Sequence, residues 1–130
     1  MKTIVIQKNI YKIIEEVEEY ALWEPKNISL ITGGDNTETG HEFRKKLISR
    51  KSPLPGVEIL KFLHENQQMI PKDWDDGLET PIFFLGTIVD LEDGPAVTCL
   101  QMGYGNWHVG GTLLEYVWGE GSGRIALWKE

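Results

Sequence analysis

The sequence predicts an α+β fold in which N-terminal helices pack on a C-terminal four-stranded antiparallel meander sheet. Two observations carry that reading. Before Pro81 apolar residues recur three and four apart, the period of a helix with one buried face. After Pro81 they fall in short strand-like runs separated by glycine-rich turns. At 130 residues the chain has the size of one domain with its own core. Residues 1–130 are read as one domain, helical over about 8–66, a connector over 67–80 and β over 81–130.

Taken in order, residues 3–7 (TIVIQ) form a short strand or a lead-in to a helix. Ile10, Ile13, Ile14, Val17, Tyr20 and Ala21 then lie at helical spacing, with Asn9 as N-cap and Pro25 as the stop. The opposite face, Glu15, Glu16, Glu18 and Glu19, is a solvated one. Residues 28–32 (ISLIT) read as a strand, and GGDNTETG follows as the most polar loop. Thr39 with Glu42 three residues on is a capping box, opening a helix over about 40–51 with Phe43, Leu47 and Ile48 inward. Arg44, Lys45, Lys46, Arg50 and Lys51 cluster on and just after it, where cations suit the helix C-terminus.

Ser52-Pro53-Leu54-Pro55 breaks the chain, and Val57, Leu60, Phe62 and Leu63 mark a third helix ending near Asn66. Past the connector IPKDWDDGLETP come IFFLGTIV, AVTCLQM, NWHVGGTLLEYVW and RIALW. Asp93-Gly94, Gly103 to Asn106 and Gly119 to Gly123 separate them as hairpin loops. Gly110-Gly111 inside the third run predicts a bulge or a split into two shorter strands. Within this half, Ile70-Pro71-x-x-Trp74 followed by Phe83-Phe84-x-Gly86-Thr87 resembles a pattern in short bacterial proteins that end in a tryptophan-rich antiparallel sheet. The resemblance covers about the last 60 residues. It implies a bacterial or phage source and no activity.

A net charge of −7 and a pI near 5.0 remove the basic footprint that nucleic-acid binding needs; mild acidity of this kind chiefly keeps a chain soluble, and would also steer it toward a basic partner. Cys99 is the single cysteine, so neither an internal disulfide nor a cysteine-rich zinc site can form. The N-terminal apolar run meets Gln7 and Lys8 before it is long enough for a signal peptide. No apolar stretch reaches the roughly 18 residues a membrane span requires. A cytoplasmic protein with no membrane or nucleic-acid partner is expected.

Few residues offer chemistry. The 33–40 loop stands where helix-start amides can hold phosphate, but it matches no phosphate-binding motif, and Asp35 and Glu38 repel anions. Asp35, Thr37, Thr39 and Gly40 mimic the first half of a calcium loop. Its twelfth position is Lys46, which excludes that site. His41, His64 and His108 form no paired metal-ligand spacing, so neither metal nor cofactor is expected. Cys99 and His108 come near each other if the 103–106 turn pairs their strands, although a free cysteine usually serves as a small buried hydrophobe. Asp73, Asp75, Asp76, Asp90, Glu92 and Asp93 all fall in connectors and turns.

The unusual feature is five tryptophans, Trp23, Trp74, Trp107, Trp118 and Trp128, with Tyr104 and Tyr116 near the last three. Large aromatics dominate both cores and interface hot spots. The third run is apolar on both faces, which predicts a sheet covered by helices on one side and by a loop, second subunit or partner on the other. The function expected is a non-enzymatic binding protein, of inhibitor or immunity type, acting through this sheet alone or as a homodimer. Tyr104, Trp107, His108, Tyr116 and Trp118 form its binding set. A small-molecule domain, with the Gly103 to Trp107 turn as one pocket wall and His108 as a polar group, is the first alternative. A small enzyme is the second.

Overall fold

The computed structural model describes residues 2–17, 24–32, 37–50, 54–118 and 123–129. It replaces the expected helices-on-meander arrangement with a seven-stranded mixed sheet that draws on both halves of the chain. The strands are β1 (Thr3–Ile6), β2 (Asn9–Glu16), β3 (Ile28–Thr32), β4 (Ile82–Leu91), β5 (Gly94–Gly103), β6 (Asn106–Leu113) and β7 (Arg124–Trp128). Two helices, α1 (Gly40–Ser49) and α2 (Val57–Glu65), interrupt them. The sheet runs β1-β2-β4-β5-β6, and β7 lies between β3 and β4, antiparallel to β3 and parallel to β4. Among the described residues no helix is long and apolar enough to cross a membrane.

The largest correction falls on the first expected helix. Residues 9–16 are a strand, hairpinned to β1 through Gln7 and Lys8, which adopt φ of 54° and 69°. Both values are left-handed, as a two-residue hairpin turn demands, but neither residue is the glycine or asparagine that would announce it. Tyr11 and Ile13 point into the core while Ile10, Lys12 and Ile14 point out, the alternation of a strand. A register shift between Ile13 and Glu15 breaks that alternation. The extra residue makes Ile10, Ile13, Ile14 and Val17 imitate helical spacing. Asn9 accordingly pairs with Ile6 rather than capping a helix. Glu15 and Glu16 belong to a strand, not a helix face, and residues 18–21 lie outside the described set.

The other two expected helices form. Thr39 and Glu42 make the full capping box, Glu42 N–H donating to Thr39 Oγ1 at 3.2 Å and Thr39 N–H to Glu42 Oε1 at 3.0 Å. Val57, Leu60 and Leu63 are buried along α2, while Phe62 is partly exposed and Ile59 takes an inner place.

The helices sit on opposite faces of the sheet. Val57, Ile59, Leu60 and Leu63 of α2 pack with Ile82, Phe84, Leu100 and Trp107 in one core. Phe43 and Leu47 of α1 pack with Phe83, Leu85, Val97 and Trp118 in the other. Consecutive β4 residues alternate between the cores, which is why IFFLGTIV has no polar face.

Gly110 and Gly111 produce neither bulge nor split, since the β5–β6 register runs unbroken from Ala96↔Leu113 to Gly103↔Asn106. The irregularity lies in β4, between Phe84 and Val89. There the backbone leaves the ladder to meet other elements: Gly86 N–H donates to Pro55 O at 3.0 Å, and Val17 N–H donates to Gly86 O at 2.8 Å. A Cβ on Gly86 would stand 2.6 Å from Leu54 O, so only glycine admits this approach. The buried guanidinium of Arg44 joins the same region, donating through Nε to Leu85 O at 2.6 Å and through Nη1 to Glu15 Oε1 at 2.8 Å.

Candidate functional site at the β5–β6 hairpin

The five residues expected to bind separate into two groups. Trp107 and Trp118 are buried, in the α2-side and α1-side cores respectively. Trp118 stacks on Phe83, centroids 4.8 Å apart, and meets Phe43 at 6.4 Å. Trp107 is pinned from outside β6 by Gln67. The Gln67 carboxamide accepts Trp107 N–H at 2.9 Å and donates to Trp107 O at 3.0 Å, imitating a neighbouring strand on the β6 edge, where Gln7 Oε1 also accepts Val109 N–H at 3.3 Å. These two tryptophans therefore stabilise the fold.

Tyr104, His108 and Tyr116 face solvent. Tyr104 and Gly105, at φ 51° and 82°, form the centre of the β5–β6 turn, and Tyr104 is 101% exposed. Tyr116 is 57% exposed but lies beyond the far end of β6. At roughly 3.4 Å per residue the eight-residue strand separates the two tyrosines by about 25 Å, too far for one small contact.

Around Tyr104 the hairpin end makes a shallow groove of about 340 Å³, lined by Glu79, Gln101, Met102, Gly103, Tyr104 and His108. His108 stands opposite Gln101 across the ladder. His108 Nε2 lies 3.0 Å from Gly103 O. A carbonyl only accepts, so Nε2 carries the proton and Nδ1 of the neutral ring is an acceptor. Gln101 Nε2 donates to Glu79 O at 2.7 Å, holding Glu79 at φ 58°. The turn signal at 103–106 suggests Cys99 as the neighbour of His108, whereas the register of that turn makes Gln101 its partner. Glu79 carried no such signal, because it reaches the groove from another loop through a left-handed backbone.

Cys99 and His108 lie on one face, but Cys99 pairs across the ladder with Gly110, and His108 is committed to Gly103. Burial pushes the Cys99 thiol up to about 11, the Gly110 backbone opposing it weakly, so at neutral pH it stays protonated and a poor nucleophile. His41 is exposed in the first turn of α1 and His64 half-buried in the last turn of α2, and neither lines His108's groove. In the polar loop, residues 33–36 lie outside the described set. Lys46, in place of a calcium ligand, pairs with Glu38 at 2.8 Å.

The acidic connector is organised by its own backbone. Asp75 and Asp76 accept the N–H groups of Gly77 and Leu78 at 3.0 and 2.9 Å. The Thr80 side chain, then the Leu78 amide and the Arg124 charge, hold the Asp76 carboxyl below its ordinary range. Comparison with family models, curated proteins and solved structures finds no match to this chain.

Proposed function

We propose that the chain is a non-enzymatic protein-binding module whose contact surface is the end of the β5–β6 hairpin. The observation that carries this reading is the complete exposure of Tyr104 on a tight turn at the end of a ladder anchored in the core. An aromatic held outward by a rigid backbone loses little conformational freedom on binding, and tyrosine is enriched at interface hot spots. His108, Gln101 and Glu79 beside it supply polar contacts for orientation. The buried Trp107, next to His108 on β6, anchors this end of the hairpin in the α2-side core. A small acidic inhibitor or immunity-type protein would use such a surface to cover a basic site on its target.

The groove beside Tyr104 favours one second reading, a small-molecule site, because its volume lies at the lower end of the ligand-pocket range of about 300–1,000 Å³. Placing the photo-crosslinker p-benzoylphenylalanine at position 104, with Glu92 as an exposed control position, separates the two. In host cells a protein adduct specific to position 104 is the expected result. Equal capture at both positions, or a bound small molecule seen by native mass spectrometry with no protein adduct, would sink the protein-binding reading.

A further inference from the structure

We infer that the Tyr104 groove is a receptor for an arginine side chain of the protein partner. The inference rests on the binding function proposed above and names the chemistry of the contact. The groove's lining carries one formal charge, the carboxylate of Glu79, and no lysine or arginine. The connector leading into it adds Asp73, Asp75 and Asp76. Of the two cations near that connector, Arg124 is engaged: Nη2 donates to Thr80 O at 3.2 Å, and Nε lies 4.0 Å from Asp76 Oδ2. Lys72, like the three aspartates, is outside the groove lining, so Glu79 sets the groove's own charge. In a chain of net charge −7 the local field therefore attracts a cation.

The groove's hydrogen-bonding groups have the matching sense. Because Nε2 of His108 donates to Gly103 O, the neutral ring offers Nδ1 as an acceptor. Gln101 spends its donor on Glu79 O and keeps its carboxamide oxygen as an acceptor. The Glu79 side chain accepts only. These three residues line the groove beside the open ring of Tyr104. A planar guanidinium has the complementary form: it stacks on an aromatic face and spreads its donors in one plane, whereas a lysine ammonium satisfies only the charge. Gln101 acts as a positioning residue, since its bond to the Glu79 carbonyl holds in place the left-handed backbone of a residue that lines the groove.

The test is an amide chemical-shift titration of the intact protein with acetyl-Gly-Arg-Gly-amide and with its citrulline counterpart, which keeps the shape and removes the charge. Saturable shifts confined to Gln101, Gly103, Tyr104, Gly105 and His108 are expected, with citrulline about tenfold weaker. Tyr104→Ala and Glu79→Gln should each weaken arginine binding about two- to fivefold. Equal binding of citrulline, or shifts as large around the exposed Asp90 to Asp93 acids as in the groove, would overturn the inference without requiring any variant. The two proposals fail separately. A partner crosslinked at position 104 through a segment lacking arginine removes this inference and leaves the binding function. Saturable arginine binding with no crosslinked protein does the reverse.

Discussion

The hydroxyl of Thr87, in β4, accepts the backbone N–H of Val57 at 2.9 Å and so caps α2 from a different element. Gly56, at the N-cap position, has no side chain to do this, and the sheet supplies the missing acceptor. The irregular stretch of β4 thereby fixes where α2 starts and how it lies over its core. Thr87→Val keeps the shape and removes the acceptor, leaving a buried N–H unsatisfied. A loss of about 1–2 kcal/mol in urea unfolding is expected, with Thr87→Ser restoring most of it. Equal stability of Thr87→Val and wild type would remove the cap from the account of α2.

Gly86, one residue earlier, makes a sharper prediction. An added methyl would stand 2.6 Å from Leu54 O and 2.8 Å from the Pro55 carbonyl, both main-chain atoms that cannot swing aside. Gly86→Ala should cost about 2–3 kcal/mol. Gly103→Ala, whose nearest contact would be an ordinary 3.7 Å to His108, should change stability far less. Equal melting temperatures for the two variants would refute the close-approach argument.

The aromatic residues divide into structural and exposed sets, and stability measurements can tell them apart. Trp118→Ala removes the ring stacked on Phe83 and should destabilise by about 3–5 kcal/mol. Tyr104→Ala removes a side chain wholly in solvent and should stay within about 0.5 kcal/mol of wild type. A large unfolding penalty for Tyr104→Ala would mean that its ring is part of the core.

Cys99 predicts an alkaline limit to stability. Burial raises its folded-state pKa from 9.0 to about 11, so the folded state holds the thiol proton more tightly than the unfolded chain does. The associated stability is complete below pH 9 and is lost as pH rises through about 11, amounting to about 2–3 kcal/mol. Burial, with a smaller contribution from the Cys99 charge, also raises Tyr11, which acts in the same direction; only the burial part persists in a Cys99→Ala variant. Wild type should therefore lose more melting temperature than Cys99→Ala between pH 8 and pH 10.5. Parallel losses would show that the thiol plays no part.

Local signals in the sequence specified the elements whose causes are local. ISLIT is β3, Thr39 and Glu42 cap α1, the spacing of Val57, Leu60 and Leu63 gives α2, and four strands follow Pro81. The resembling motif also finds structural roles: Trp74 is buried, Phe83 and Phe84 enter opposite cores, Gly86 permits a backbone contact, and Thr87 caps a helix. What failed was the first hairpin. A bulge at Ile13 to Glu15 gave a strand the spacing of a helix, and its turn uses positive φ at Gln7 and Lys8 without a glycine to signal it.

Tertiary structure alone decided the side of the sheet on which Trp107 and Trp118 lie and the gathering of the candidate site. Strand register fixes the side, sending Trp107 to the α2 core while the chain beyond β6 carries Trp118 to the α1 core. The groove joins Glu79 to Gln101 across 22 residues through one hydrogen bond. Composition specifies how much apolar surface must be buried, but periodicity misassigned Ile10, Ile14 and Ile48, which are exposed. Neither specifies which residues meet, because that depends on how strands far apart in sequence pair.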